Sequence, residues 1–439
     1  MITAGPALAK ARPGRINRPE EIIAPVATQN ISINLSSFFK PCFIPNIIMV
    51  KITIAILYLI VYNPLMQKKA LITSCRLLFV IGCVYLFLVS IGLMGIAFKG
   101  FGKEFAENLI RATSNPFVGL FIGILATSIM QSSSTTTSIL VGMVASGTLT
   151  VTNAIPIVMG ANIGTTITNT LVALAHVTRR EEFRRAITGA TLHDFFKLLC
   201  VSILFPLEIA TGFIEKIATK LAVSFSNVGG VKFTSPVKAA TKPVIDLIKD
   251  SLTKLHIPEN IVYILLLTIS VALLFFCLYF IVRMMKSLVI GRVEIVFNNV
   301  FGKSAILGIL AGLIFTAIIQ SSSITTSLMV PLVASGILTV ETIYPIIMGA
   351  NIGTTVTAIL ASLATGNILA ISVAFSHLVF NLICVLFVYP VPVLRNIPIK
   401  LSKWMGNLAF KKRRYAIIYT LSVYFLIPGL LIFISRFFK

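Results

Sequence analysis

The sequence predicts an all-α polytopic membrane protein made of two inverted-topology repeats. Three observations support this prediction: long uncharged stretches, an internal duplication, and basic residues concentrated in alternate loops. Of the 439 residues, 57% are hydrophobic and 12% are charged, about half the charged fraction of a typical soluble domain. This composition excludes a soluble enzyme. Stretches such as Leu77 to Phe98 and Asn260 to Val282 carry no charge, and about 20 apolar residues suffice for a helix to cross a bilayer.

The duplication is the strongest single feature of the chain. Residues 131–166 align without gaps on residues 320–355, and 25 of these 36 positions are identical. The shared blocks include QSSS, VASG and MGANIGTT. Further along, an offset of 184 aligns HDFFKLLC at 193–200 with HLVFNLIC at 377–384. We therefore expect two halves that descend from one ancestral unit.

We predict about seven transmembrane helices plus two re-entrant hairpins. The segments 116–147 and 305–336 each carry a QSSS block near the middle, and neither is long enough for two crossings of about 20 residues each. Polar backbone at membrane depth is tolerated only where it lines an enclosed or water-filled cavity, so each segment is expected to be a hairpin of two half-helices. The crossing helices are expected at residues 77–98, 151–175, 186–206, 260–283, 340–364, 367–389 and 415–435.

Loop charges predict the orientation of these segments, because short basic loops stay on the inner side of a membrane. Three crossings in each half turn the second half upside down relative to the first. The predicted outside loops 99–115 and 365–370 carry three and no basic residues, and in the long loop 207–259 five acids offset seven lysines. The net charge of +23 is therefore interpreted as topology. The predicted inside loops hold Arg179, Arg180, Arg184 and Arg185, then Arg283, Lys286, Arg292 and Lys303, then Arg395, Lys400, Lys403 and Lys411 to Arg414.

This plan divides the chain into five parts. The first 65 residues are aperiodic apart from one apolar segment and have no counterpart in the second half, so we expect a disordered extension or a mis-assigned start upstream of Met66. The predicted parts are an N-terminal extension at 1–65, a first transport repeat at 66–206, an extracellular loop at 207–259, a second, inverted transport repeat at 260–395, and a basic linker with the final transmembrane helix at 396–439.

The two QSSS blocks predict an anion site. A cluster of hydroxyls and amides in a membrane is costly unless it is satisfied. Hydrogen bonding between helices could explain one or two serines, but not four consecutive polar residues at both hairpin tips. Half-helices that begin at these serines would direct free N–H groups and positive dipole ends at a shared ligand. The predicted substrate-binding residues are Gln131, Ser132, Ser133, Ser134, Gln320, Ser321, Ser322 and Ser323.

The two GANIGTT blocks predict a cation site. Glycines allow a membrane helix to unwind, and the freed carbonyls, with amide and hydroxyl oxygens, can hold sodium as in discontinuous transporter helices. The alternative is close helix packing through small residues. The predicted sodium ligands are Asn162, Thr165, Thr166, Asn351, Thr354 and Thr355, together with Asp194, the one acidic residue well inside a predicted span.

Two further features of the predicted spans leave alternatives open. Asp194 could bind a cation, or it could form an ion pair with Lys197, which lies three residues along the same helix. His193 and His377 occupy equivalent positions, and for them a hydrogen bond between helices is favoured over a proton relay. Four of the six cysteines lie inside apolar segments, and their spacing indicates neither a zinc site nor a disulfide framework.

Taken together, the paired QSSS and GANIGTT blocks and the segment EFRRAITGATLHDFFK resemble the type II sodium/phosphate cotransporter family. The similarity covers roughly residues 75 to 395. It implies that the two QSSS blocks line a phosphate site, that the Asn and Thr residues of both GANIGTT blocks lie in the sodium-binding region, and that Asp194 accompanies electrogenic transport. The chain departs from the family at Lys197, where Asn is usual, and in loop 207–259, which lacks cysteine.

The sequence therefore predicts sodium-coupled symport of inorganic phosphate across the cell membrane by alternating access. The expected partners are phosphate, sodium ions and the lipid bilayer, with no cofactor, no enzymatic activity and no nucleic acid. No P-loop motif for ATP is present, so an ion gradient must supply the energy. Transport of another small oxyanion and proton coupling remain open. An intramembrane hydrolase would need one nucleophile and a base in an asymmetric site, which the duplicated serines disfavour.

Overall fold

The structure is a computed structural model that describes residues 64–227, 236–255, 257–300, 304–435 and 437. The contacts between residues divide the chain into two units at Lys68, and all helices after the first turn of the first helix belong to the unit Lys69–Lys439. The predicted extension 1–65 lies almost entirely outside the described residues. Within the described residues the secondary structure is helical, as predicted.

The first half begins with a long apolar helix and a short amphipathic one, followed by the QSSS and GANIGTT helices. Asn115 caps the first QSSS helix by accepting a hydrogen bond from the amide of Phe117 at 2.9 Å, and Pro116 occupies its first position, where a missing N–H costs nothing. The helices are α1 (Pro64–Gly100), α2 (Gly102–Ala112), α3 (Pro116–Met130), α4 (Ser133–Ser146), α5 (Val151–Gly164), α6 (Ile167–Leu174), α7 (Arg180–Thr211), α8 (Phe213–Asn227) and α9 (Pro236–Thr253).

The second half also has a long apolar helix, a QSSS pair and a GANIGTT helix in this order. A π-helical turn at Ser422–Leu426 interrupts the final apolar segment. The helices are α10 (Glu259–Val300), α11 (Ala305–Ile319), α12 (Ser322–Ala334), α13 (Val340–Thr365), α14 (Ile368–Val388), α15 (Pro392–Lys411), α16 (Arg414–Leu421) and α17 (Ile427–Ser435).

Six described helices are long and apolar enough to cross a membrane, or up to eight if each of two bent helix pairs is one span. The predicted all-α polytopic membrane protein is thus confirmed. The six are Leu71–Gly100, Val151–Leu174, Glu259–Met285, Val340–Thr365, Ile368–Val388 and Arg414–Ser435.

Each QSSS segment forms two helices joined by a tight turn. The turns lie at Gln131 and Gln320, which have φ of 53° and 62° and are the non-glycine residues with positive φ in the described chain. Within each pair a threonine of the first helix bonds a threonine of the second, Thr127 with Thr136 at 2.8 Å and Thr316 with Thr325 at 2.7 Å. The predicted division into half-helices is confirmed, and their re-entrance into the membrane remains a prediction.

Glycines bring the first helix of each QSSS pair against the GANIGTT helix. A Cβ at Gly160 would meet the carbonyl oxygen of Leu120, and a Cβ at Gly349 would meet that of Ile309. Close backbone packing is therefore a structural role of these glycines in both halves. The helix breaks after Gly164 in the first half, whereas α13 continues through the second GANIGTT block. The expected unwinding is thus wrong for the second half, where the backbone bonds of the helix are retained.

Two segments expected from the sequence as a loop and a linker are helical. The predicted loop 207–259 contains the end of α7, all of α8 and α9, and an apolar contact of Ile245 with the core around Leu93 and Leu266. The basic linker after residue 396 lies in α15, which packs along α7, with Gly406 against Arg184 and Thr188. Both segments were predicted to be connections between membrane helices. The charged residues they contain lower their hydropathy.

Candidate functional site

One cavity of about 40 Å³ is lined by both QSSS turns. Such a volume admits water-sized groups, and the serine hydroxyls give it a polar wall. Leu278 and Val282 of α10 close one side. The remaining lining residues are Ser132, Ser133, Ser134, Gln320, Ser321, Ser322 and Ser323. The structure therefore brings together seven of the eight residues predicted to bind the substrate.

Two helix N-termini begin at this cavity. Ser132 and Ser321 are the N-cap residues, and their hydroxyls accept hydrogen bonds from the amides of Thr135 and Ile324 at 3.2 and 3.4 Å. The first amides of a helix have no partner within it, so those that the N-cap hydroxyls leave free at the starts of α4 and α12 are available to a ligand. Neither lysine nor arginine lines the cavity, so the attraction for an anion would come from dipoles and hydroxyl donors.

The eighth predicted residue, Gln131, does not line the cavity and is exposed. Its counterpart Gln320 is held: Thr357 donates to Gln320 Oε1 at 2.7 Å, and Gln320 Nε2 donates to the carbonyl of Ala317 at 2.6 Å. The residue equivalent to Thr357 is Thr168, whose buried hydroxyl has no hydrogen-bond partner. The two QSSS turns are thus alike in backbone and different in the contacts of their glutamines.

A second small space is lined by residues of both halves and shares Ser133 and Ser322 with the cavity. It is lined by Ser133 and Ser322, by His377, and by one Asn and one Thr from each GANIGTT block: Asn162, Thr165, Asn351 and Thr354. All seven side chains are buried. Four predicted sodium-site residues therefore line one space together with two of the predicted phosphate-site serines.

Thr166, Thr355 and Asp194 lie outside this space. The hydroxyl of Thr355 donates to its own helix at the carbonyl of Ile352, whereas Thr166 also bonds the Tyr424 hydroxyl at 2.5 Å. Thr170 donates to Asp194 Oδ2 at 3.4 Å, and the hydroxyls of Thr166, Tyr419 and Tyr424 lie near the same carboxylate, whose Oδ1 has no hydrogen-bond partner. Apart from Thr355, the predicted sodium residues thus form two groups, one between the halves and one around Asp194.

Lys197 does not pair with Asp194. Its ammonium donates to Asn162 Oδ1 at 2.8 Å and to Asn381 Oδ1 at 2.5 Å, and no ion pair in the described chain joins it to a carboxylate. The ion pair considered from the spacing is therefore wrong. The two side chains lie three residues apart but leave the helix toward different neighbours, Lys197 toward amides of both halves and Asp194 toward Thr170 and Tyr424.

His193 forms the predicted bond between helices. Its Nε2 lies 2.9 Å from Asn351 Oδ1, and its Nδ1 lies 3.2 Å from Asn169 Nδ2. The equivalent His377 differs, because Lys197 occupies Asn162 Oδ1 and the position equivalent to Asn169 is Ala358. His377 Nδ1 is consequently buried without a partner.

Several polar residues near the site were not predicted from the sequence. Tyr419 lies in α16 and Tyr424 lies in the π-helical turn that follows it. This final apolar segment has no counterpart in the duplication, so the repeat could not indicate either tyrosine. Thr357 and Asn169 lie just beyond the GANIGTT blocks. Their polarity inside otherwise apolar helices was a signal, and Thr326 of the QSSS helix α12 bonds Asn169 across the two halves at 2.8 Å.

The described side chains include no group of three or more His, Cys, Asp or Glu residues that could hold a metal ion. The oxygens near the site belong instead to amides, hydroxyls and the single carboxylate of Asp194. Hard oxygen donors of this kind suit an alkali cation better than a transition metal.

Comparison with known proteins identifies the family of this chain. The model of the Na+/Pi-cotransporter family matches residues 86–232 and 273–389. The sodium-dependent phosphate transport proteins 2B of Pongo abelii and Homo sapiens are each 36% identical over 443 aligned positions, which cover 80% of this chain and 64% of the relative. The corresponding protein 2A of Ovis aries is 35% identical, over 84% of this chain and 69% of the relative.

The chain spans a little under two thirds of the length of the 2B relatives. No solved structure matches it. The matched ranges hold both QSSS blocks, both GANIGTT blocks and the whole segment around Asp194 and Lys197. The chain therefore belongs to the Na+/Pi-cotransporter family.

Proposed function

We propose that this protein carries inorganic phosphate together with sodium ions across a membrane. The observation that supports this most directly is the cavity shared by the two QSSS turns, where two helix N-termini and six serine hydroxyls meet. Helix N-termini favour anions. The names of the relatives, sodium-dependent phosphate transport proteins, describe the same chemistry.

In this proposal phosphate binds between the turns and accepts hydrogen bonds from both halves. A tetrahedral oxyanion offers acceptors in several directions, so two converging sets of donors suit it. The absence of a fixed positive charge from the lining allows release, because a permanent ion pair would hold a divalent anion too tightly. The proposed binding residues are Ser132, Ser133, Ser134, Gln320, Ser321, Ser322 and Ser323, with Gln131 included as the repeat equivalent of Gln320.

Sodium ions would bind beside the anion and neutralise part of its charge. The proposed ligands fall into the two groups described above. One comprises Asn162, Thr165, Asn351 and Thr354 between the halves, and the other comprises Thr166 and Asp194 beside Tyr424. Thr355 lies in neither group and is kept as a proposed ligand because it is the repeat equivalent of Thr166. Cations placed within a few ångströms of the anion would make binding of each favour binding of the other.

Transport would follow from motion of one half relative to the other. The halves meet through buried polar contacts such as Thr326 with Asn169 and His193 with Asn351, which can exchange partners more readily than interlocked apolar side chains. We propose the inverted-repeat arrangement and alternating access as the mechanism, and the plasma membrane as the location.

The decisive test is uptake of radiolabelled phosphate into proteoliposomes that contain the purified protein. We expect uptake with an inward sodium gradient and little uptake when choline or potassium replaces sodium. Unlabelled phosphate should compete and unlabelled sulfate should not. Equal uptake in sodium and choline would refute sodium coupling, and stronger competition by sulfate would refute phosphate as the substrate.

A further inference from the structure

Lys197 is a buried cation at the contact between the two halves. Its side chain is 1% exposed, and its ammonium donates to one amide oxygen from each half, Asn162 Oδ1 and Asn381 Oδ1. No carboxylate in the described chain forms an ion pair with it. A charged residue placed in this way in a membrane protein calls for a functional explanation.

The surroundings of Lys197 have the chemistry of a cation site. Besides the two amide oxygens, the rings of Phe196 and Phe380 lie 5.9 and 5.5 Å from the ammonium nitrogen. Aromatic faces and neutral oxygens stabilise a positive charge without neutralising it. Two oxygens and two rings therefore hold this charge in place.

The residues of this cation site are related to one another by the duplication. Under the offset of 184, Lys197 is equivalent to Asn381 and Phe196 is equivalent to Phe380. Lys197 thus contacts its own counterpart, and the two rings come from equivalent positions. If the lysine were replaced by asparagine, the new amide would join those of Asn381 and Asn162 with no charge between them, which is an oxygen cage for a small cation.

We propose that the Lys197 ammonium permanently occupies a coupling-cation position, so that this protein moves one sodium ion fewer per phosphate than its Lys197→Asn variant would. The inference rests on the sodium–phosphate cotransport proposed above. The amine takes the Asn162 oxygen that a sodium ion would use, and a second positive charge at that oxygen would be repelled. A cation attached to the chain contributes its charge to the site but is not carried across.

The test compares wild type with Lys197→Asn in proteoliposomes, by measuring the ratio of labelled sodium to labelled phosphate taken up. Lys197→Asn should raise this ratio by one sodium ion, increase the Hill slope for sodium, and add one positive charge per cycle to the phosphate-evoked current. Lys400→Asn, which removes an exposed lysine of α15, is the control for net charge and should leave the ratio unchanged. An unchanged ratio in an active Lys197→Asn protein would overturn the inference.

A second measurement decides the question if Lys197→Asn does not transport. The midpoint of thermal unfolding of the purified protein is recorded at increasing sodium chloride, with choline chloride at equal ionic strength as the reference. A larger sodium-specific rise in Lys197→Asn than in wild type supports the vacated cation site, and an equal rise contradicts it. Lys197→Gln, which keeps a longer amide side chain, replaces Lys197→Asn if the latter does not fold.

The same measurements separate failure of this inference from failure of the proposed function. If wild type takes up no phosphate in any cation gradient while the sodium-specific stabilisation differs between wild type and Lys197→Asn, cotransport is wrong and the cation site stands. If wild type cotransports normally and neither the ratio nor the stabilisation changes in the variant, cotransport stands and the role of Lys197 is wrong.

Discussion

Asp194 and Lys197 are neighbours on one helix and have separate environments. Asp194 lies near the hydroxyls of Thr170 in α6, of Thr166 just before α6, and of the two tyrosines in the final apolar segment. Lys197 instead donates to amides of both halves. Had the two formed the ion pair that their spacing allows, Asp194→Asn would have left the lysine uncompensated in the membrane. Because the two do not pair, each can be replaced without leaving the other uncompensated.

Asp194→Asn should therefore fold and should bind sodium more weakly. Asparagine keeps the shape of the side chain and its contact with Thr170, but it removes the negative charge that would hold a cation. We expect the sodium concentration for half-maximal phosphate uptake to rise about tenfold or more, as for the loss of a charged ligand worth roughly 1.5–3 kcal/mol. Glu107→Gln, on the exposed face of α2, serves as the control, and unchanged sodium dependence in Asp194→Asn would remove this carboxylate from the sodium site.

The serines at the starts of α4 and α12 should each matter to phosphate affinity. Ser133→Ala and Ser322→Ala remove one hydroxyl donor apiece from buried positions in the two halves. A hydrogen bond to a charged group contributes about 1.5–3 kcal/mol, so each variant should weaken the apparent phosphate affinity at least about tenfold. Ser402→Ala, a buried serine of α15 whose hydroxyl bonds its own helix, should keep normal affinity. Normal affinity in both cavity variants would exclude these serines from the phosphate site.

The residues of the candidate site could be predicted only as far as the duplication reaches. Ser133, Ser322, Asn162 and Asn351 follow from matching the two halves, and the structure brings all four to one small space. The partners of Lys197 could not be predicted, because they depend on where α14 meets α7. Tyr424 could not be predicted either, since a tyrosine in an apolar helix gives no signal until the helix is placed beside Asp194.

At the scale of elements, the hairpins were predictable and their neighbours were not. A polar block in the middle of a short apolar segment requires a break, and the breaks occur at Gln131 and Gln320. The boundaries of the long apolar helices differ from prediction by a few residues or more. The helices within 207–259 carry charges on one face and apolar residues on the other, so a hydropathy average conceals them. Ile245, for example, packs against the core.

The contact between the first hairpin helix and the GANIGTT helix should be sensitive to one methyl group. Gly160→Ala and Gly349→Ala would each place a Cβ against backbone carbonyl oxygens, and backbone cannot move aside as a side chain can. Overpacking of this kind typically costs about 1–3 kcal/mol, so both variants should unfold at a lower temperature than wild type. Gly95→Ala in α1 is the matched control, since a Cβ there meets nothing within 4 Å and alanine favours a helix by up to about 1 kcal/mol. Equal losses in all three variants would argue against the close contact.

At the scale of the molecule, the two halves share one plan and have diverged at their contacts. Gln320 is fixed by Thr357 while Gln131 is exposed, and His193 has two partners while His377 Nδ1 has none. Two halves with identical contacts would present the same arrangement to each side of the membrane. Among the described residues, the divergence gives the first half the candidate carboxylate and the second half the fixed glutamine, so the two halves can contribute differently to a transport cycle.

The inverted arrangement itself can be tested by labelling single cysteines from one side of the membrane. If the first QSSS segment is a re-entrant hairpin, the chain enters and leaves it on the same side, so exposed positions before and after it share a face. We expect Glu107→Cys and Thr152→Cys to react with an impermeant maleimide on one face, and Glu181→Cys and Ile337→Cys on the other, in a background without the six native cysteines. All four positions are exposed, so accessibility depends on the side of the membrane. Reaction of Glu107→Cys and Thr152→Cys on opposite faces would mean that the first QSSS segment crosses the membrane fully. The two halves would then not be inverted by three crossings each, and the shared cavity would need a different path to the two sides.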